Sequence, residues 1–454
     1  MSTLQAINLK NAAYGSYYNI QLDAYGNSAF ANSITVAGAG TVYGGLQVGN
    51  YFVPPNAFYL KNRLINGTFL VSQRAVTGTN NITVGTAGPT QTTGYTTVDR
   101  WFTLAQTTST APSSAQTTGA TGSKQLTISG AAGVTNVYVG QRIISANSYD
   151  LAGQTVTLSF ATSNSLLSTV NYQLSYATTY NDTFGTIAAP TKTTITPNSP
   201  YTGSVSVTGT LTTYAVTFTI PAGVTTGLEV LFYVGAQISG TWILQDVQLE
   251  VGSAQTPIER RPFPQELALC QSYYEKSFPS FQPPVQFGGR AGSFTFTNSS
   301  GASISNPSGS IQFAVSKRLY PVSFVATTNA GTTLTVASVN YGTLLPGTVI
   351  LTGLPVAPAS ITTGTGGAGT YTLQRTQTVV TGVTMTGYSG PNIVTYNPDA
   401  LNAQVRDISA AVDCSGTIIQ ASSETCFSLY TVGNASTVAG DTLAVNWTAE
   451  VEVP

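Results

Sequence analysis

The chain has 454 residues, a net charge of −1 and no histidine, and 7% of its residues are charged, against roughly 25% in an ordinary soluble domain. Phosphate neutralisation needs clustered Lys and Arg, and none cluster here, so a nucleic-acid partner is excluded. No stretch reaches the roughly 20 apolar residues of a spanning helix, so membrane insertion is not expected, and the missing imidazole removes Ser-His-Asp and Cys-His catalysis together with any structural zinc site.

Abundant Thr, Ser, Gly and Val with 24 Tyr favour short strands and tight turns, so the expected class is all-β and multidomain. Residues 1–60, including NIQLDAYGNSAFANSITVAG, carry apolar alternations too short to bury a core alone. They are predicted to form a docking or shaft segment that winds against copies of itself. Residues 61–256 read as a β-sandwich, with QTVTLSFATS, NYQLSYATT, TYAVTFTIPAG, LEVLFYVGAQ and GTWILQDVQLE as strands. In the last, Ile243, Val247 and Leu249 are predicted to face the core, and Leu244, Asp246, Gln248 and Glu250 the solvent.

Residues 257–284 form a linker. Pro257, Pro262 and Pro264 stiffen it, and from Gln265 the run ELALCQSYYEKS predicts a helix of about three turns, with Leu267, Cys270 and Tyr274 on one face. Residues 285–322 and 391–454 look like two parts of one terminal sandwich, into which a small Gly/Thr-rich β domain, 323–390, is inserted. Cys414 and Cys426 could face each other across a hairpin, but cytosolic synthesis argues against a bridge.

LINGTFLVSQR, then Tyr95 with Asp99, Arg100 and Trp101, then WILQDVQLEVG and TPIERRPFPQELALCQSYYEKS, together resemble a module of the tail-fibre and receptor-binding proteins of tailed bacteriophages. The ordered match spans about 64–277. FAVSKRLYP, PNIVTYNP and AGDTLAVNWTAEVEV look like the head sandwich of the same group, and the insert is similar to a repeat module of phage structural proteins. The resemblance implies a non-enzymatic homotrimer of the virion tail, made in the bacterial cytoplasm. Its N-terminal region would meet other tail or baseplate proteins, its middle module would be jelly-roll-like, and its receptor would be a host surface polysaccharide or lipopolysaccharide. The insert departs from the usual pattern and leaves the receptor-contacting tip undefined. Two alternatives share the modules: a capsid-attached fibre or decoration protein, and a polysaccharide-degrading tailspike.

Neither a catalytic residue nor a cofactor or metal is assigned. Asp246 and Glu250 would lie about 13 Å apart along a strand, beyond the 5–9.5 Å or so that separates glycosidase carboxylates. Asp99 and Asp182 remain as other acidic positions. GTGGAG at 364–369 runs into a strand rather than a helix, which makes it a turn and not a phosphate loop. Asp99 and Arg100 are read either as an ion pair beside a core Trp101 or as a sugar site in which Trp101 stacks on a pyranose. Glu259, Arg260, Arg261 and Glu266 are expected to clamp domains or subunits together. Tyr341, Tyr388, Tyr396 and Tyr430 are the further receptor candidates, because a tyrosine offers a flat apolar ring and a hydroxyl at little entropic cost.

Overall fold

The computed structural model describes residues 61–74, 94–195, 201–280, 282–298, 310–363, 366–400 and 405–452, with the short strands 46–48, 51–53, 80–81, 83–84 and 303–304. The predicted shaft segment lies outside the described residues, apart from an antiparallel hairpin of Leu46–Val48 with Tyr51–Val53. The architecture is all-β, with several sheets joined through the helix Phe263–Gln271.

The middle module is a two-sheet sandwich. One sheet orders its strands as Lys192–Thr194, Thr169–Ala177, Leu228–Val234, Val134–Ile143, Phe102–Thr107 and Thr83–Val84, with Thr202–Ser206 also paired to Thr169–Ala177. The other runs Thr212–Thr219, Thr155–Asn164, Thr241–Val251, Lys124–Ser129, Ser113–Thr118 and Asn80–Asn81. Alternate residues of both sheets, among them Leu126, Phe160, Val230, Phe232 and Trp242, meet in one core. Burial of this apolar surface is what stabilises a chain with so few charges.

Strand Thr241–Val251 corrects the predicted alternation. Its pairing slips between Gln245 and Gln248, where Asp246 adopts a left-handed φ of 50°. One extra residue inverts the phase, so Trp242 and Leu244, not Ile243, join Val247 and Leu249 in the core. Gln248 and Glu250 are buried as well, because the exit segment folds over their face. Thr256 N–H donates to Glu250 at 2.8 Å, and Glu259 N–H donates to Gln248 Oε1 at 2.8 Å.

The helix also differs from expectation. It starts at Phe263, with Pro262 as its cap and a proline in the first turn, and stops at Gln271. Its buried positions are Glu266 and Cys270, while Leu267 is only partly buried. Tyr274–Lys276 is a strand paired to Thr448–Glu450, so tertiary pairing overrides the helical pattern of YYEKS.

In the terminal sandwich, strand Thr442–Glu450 pairs with Tyr274–Lys276, Phe294–Thr297, Asn392–Tyr396 and Arg406–Asp407. Phe313, Phe427 and Trp447 pack ring on ring, 5.4–5.6 Å apart, in its core. The six strands between Tyr320 and Ser389 pair among themselves, in the order 359–360, 349–352, 380–389, 320–328, 331–341, 369–377, and enclose a separate core of Phe324, Leu334, Ile350, Tyr371 and Met385. Gly387 allows the closest approach in that sheet, since a Cβ there would meet Val349 O at 2.0 Å.

Candidate functional site

Phe58–Pro454 forms one unit, and a cleft of about 710 Å³ opens in it where the middle sandwich, the six-stranded insert and the terminal strand meet. Its back is charged. Arg74 bridges Glu450 at 3.1 Å and Glu452 at 3.2 Å, and Arg100 pairs with the other oxygen of Glu452. Tyr274 lies under Arg74, with 3.7 Å from guanidinium to ring centroid, and Tyr273 lies under Arg100 at 3.5 Å. Burial opposes both guanidinium charges, but the facing carboxylates outweigh it, so both pKa values are raised and both arginines stay cationic. The Tyr320 hydroxyl donates to the carbonyls of Val451 and Glu452, fastening the first strand of the insert to the C-terminal strand.

The walls are aromatic and hydroxylated. Asp182 sits at a left-handed φ of 62°. It accepts a hydrogen bond from Ser145 N–H at 2.6 Å and, on its other oxygen, one from Arg318 at 2.8 Å. That anchor presents Tyr180 on the middle-module wall, 45% exposed, with its ring centroid 4.9 Å from that of Tyr341 on the insert wall and the two planes tilted by 45°. Arg318 lies over Tyr320 at 4.2 Å, and its Nη1 is buried without a hydrogen-bond partner. Asn181, Thr179, Thr343 and Asn392 add polar groups to the rim. Flat rings beside fixed donors and acceptors suit a ligand that is apolar on its ring faces and hydroxylated at its edge.

Of the predicted receptor residues, Tyr341 lines this cleft. Tyr388 is 44% exposed, but it follows the opposite face of its strand from Ser389, which lines the cleft. Tyr396 packs edge-on against Phe278 at 5.3 Å. Tyr430 is on strand Cys426–Val432, and its side chain lies outside the described residues.

Trp101 is corrected. It is 1% exposed, packs on Phe69 at 5.1 Å and donates Nε1–H to Asn66 O at 3.0 Å, so it fills the core and no glycan can reach its face. Nor do its neighbours pair with each other. Asp99 accepts from Gln73 N–H at 2.9 Å and from the Gln73 amide, while Arg100 goes to Glu452.

The Glu259–Glu266 group forms a clamp within the chain. Arg261 bridges Glu259 at 3.2 Å and Glu266 at 3.3 Å and donates to the carbonyls of Asn62 and Leu64. Glu266 accepts from Asn66 N–H, so the linker helix is tied to the first residues of the middle module. Arg260 pairs with Asp246 at 2.9 Å and its side chain is half exposed. Cys270, Cys414 and Cys426 are free thiols.

Sequence reasoning missed Tyr180, Arg318, Tyr320, Glu450 and Glu452. One signal was available: in AEVEV, Glu450 and Glu452 stand two apart, on one face of a strand, in a chain with 17 acidic residues. The partners Arg74 and Arg100 lie more than 350 residues earlier, and nothing local links them.

No family model matches the chain, and no curated protein matches it. Among solved structures, a CBM4 domain is similar at 16% identity, with 41% of this chain and 98% of that one covered and a TM-score of 0.27. The enzymatically active domain of tailspike protein 4 from bacteriophage CBA120 is similar at 14% identity, over 42% of this chain and 22% of that one, with a TM-score of 0.23. TmCBM61, solved in complex with β-1,4-galactotriose, is similar at 11% identity, over 42% and 99%, also with a TM-score of 0.23. Likeness at these TM-scores carries no argument about ligand or role.

Proposed function

We propose that the chain is a bacteriophage tail fibre, a non-enzymatic attachment protein that binds a glycan of the host surface in the cleft between the middle module and the insert. The observation that carries the reading is the pair of contacting rings, Tyr180 on the middle-module wall and Tyr341 on the insert wall, in a cleft lined by hydroxyl and amide groups. The ordered resemblance of residues 64–277 to tail-fibre modules supports the setting. In this reading the chain works as a homotrimer, its N-terminal region joins other tail or baseplate proteins, and the insert, which sets this chain apart from the usual pattern, supplies one wall of the binding cleft.

A hydrolytic tailspike is the second reading, because two carboxylates, Glu450 and Glu452, line the same cleft, and glycoside hydrolysis uses a pair of carboxylates. The contacts of Glu452 disfavour it. Arg74 holds one oxygen and Arg100 the other, which makes this carboxylate a structural counter-ion rather than a proton donor to a leaving group.

The test is adsorption of the purified protein to host cells and competition with infection. Tyr180→Ala and Tyr341→Ala are each expected to weaken adsorption by about tenfold, equivalent to about 1.4 kcal/mol, with no reducing ends released by the wild type. Unchanged adsorption in both variants would remove the cleft from the account, and release of reducing ends would restore the tailspike.

A further inference from the structure

The outer face of the seven-stranded sheet carries features that the sandwich core does not use. Core-facing residues such as Val137, Val139, Val230 and Phe232 alternate with a second set that points away. Direct cross-strand partners set Leu104, Tyr138, Tyr233 and Asn171 in one row across four strands, about 14 Å long at the usual strand spacing. Tyr138 and Tyr233 are half-buried and stacked, 5.8 Å between centroids at 28°. Beside them is a hollow of about 270 Å³ lined by Phe102, Leu104, Tyr138 and Gln173.

This hollow adjoins the cleft. Ile187 lines both, and Tyr95 of the cleft meets Phe102 of the hollow edge-on at 6.0 Å. Among the described residues, every charged side chain lining the two is already in an ion pair. Arg318 holds Asp182 at 2.8 Å, Arg142 and Lys192 hold Glu229, and Arg74 and Arg100 hold Glu450 and Glu452. An acidic sugar would have to draw a cation from one of these carboxylates, and an unpaired buried carboxylate such as fully buried Glu229 is costly.

We infer that the ligand is a neutral polysaccharide chain rather than a terminal or acidic sugar, lying from the Tyr180–Tyr341 cleft past Ile187 onto the Tyr138–Tyr233 face. This rests on the glycan reading of the cleft and extends it to a second subsite and a ligand class. Rings supply stacking surfaces, and the side-chain amides of Gln173 and Asn171 supply hydroxyl partners that carry no charge.

The probe is an array of neutral hexose oligosaccharides from monosaccharide to hexasaccharide, with uronate-bearing counterparts, read with the full chain and its variants. Affinity is expected to rise with length and to be insensitive to salt. Tyr138→Ala and Tyr233→Ala should each lower hexasaccharide affinity by about tenfold while leaving disaccharide binding intact, whereas Tyr180→Ala should weaken both. Tyr138→Phe, which keeps the ring, should restore hexasaccharide binding and so separates lost stacking from lost folding. Hexasaccharide affinity unchanged in both face variants but lost with Tyr180→Ala would overturn the second subsite and leave the cleft standing. Binding confined to uronate-bearing members would overturn the neutral class, and silence of the wild type on every member would overturn this inference and the cleft reading together.

Discussion

The junction behind the cleft and the insert beside it are built by opposite means. The junction gathers Arg74, Arg100, Glu450 and Glu452, with Lys317 buried against Glu275 at 2.5 Å close by. The insert has one charged residue, Arg375, between Tyr320 and Ser389. It is held by its own apolar core and by hydroxyl bridges such as Thr348 to Ser389 at 3.0 Å and Thr352 to Thr386 at 2.6 Å. Apolar burial is non-directional and fills a sheet module of almost any register, whereas a paired guanidinium and carboxylate accept few relative positions. This chain places its scarce charges where modules must be fixed in orientation and leaves them out where a module only has to cohere.

The contrast is most easily broken at Arg100. Arg100→Ala takes one of the two cations from buried Glu452 and leaves Arg74 on its other oxygen, and the expected loss is about 3 kcal/mol in urea denaturation. Replacing both partners with Met and Leu should recover much of it, and a single-variant loss under about 1 kcal/mol would mean that the pair does not hold the junction. In the insert, Leu334→Ala should cost about 2–4 kcal/mol through a cavity. Hydrogen exchange should show the lost protection confined to 320–389, and protection lost equally in the middle sandwich would erase the distinction between the regions. Arg261→Ala removes hydrogen bonds to charged partners and should cost about 2–3 kcal/mol. Arg261 holds Asn62, Leu64, Glu259 and Glu266, so the loss should appear in urea denaturation, and dissociation in light scattering would show an intersubunit role as well.

The smallest effects are in pH dependence. Burial pushes the Glu229 carboxyl up, but Arg142 and Lys192 outweigh it and its pKa ends below the usual value. The stability advantage of the wild type over Glu229→Gln should therefore be full above the unfolded value, about 4.5, and fade as pH falls through the lowered one. Burial raises the Asp99 pKa despite Arg74 and the Gln73 hydrogen bonds. The advantage over Asp99→Asn should run the other way, greatest in acid and shrinking as pH rises through the raised value. Melting curves across the acid range should show opposite slopes, and parallel slopes would contradict the assigned environments.

Much of the β character was legible, because alternation and turn residues are local. The phase of Thr241–Val251 was not, since a single bulged residue at Asp246 inverts it without a glycine to announce it. The end of the linker helix was missed for a related reason: Tyr273 and Tyr274 fit a helical face, yet they are needed under Arg100 and Arg74, and that demand is set by residues far away in sequence. The charge cluster of Glu259, Arg261 and Glu266 was visible because these residues are near in the chain, but its hold on Asn62, Leu64 and Asn66 was not, since those lie about 200 residues earlier. Tyr341 was readable as an aromatic candidate, but the cleft around it was not, since its walls come from stretches separated by more than a hundred residues. Trp101 shows the limit of residue type as a guide, as the same ring serves a core or a sugar and only burial decides.

The most direct test is a crystal of the full chain soaked with the array oligosaccharide that binds best. The expected density places a sugar ring against Tyr180 or Tyr341, with hydroxyls bonded to polar groups of the cleft lining such as Asn181 or Asn392. A sugar seated elsewhere, with that cleft empty, would contradict the account.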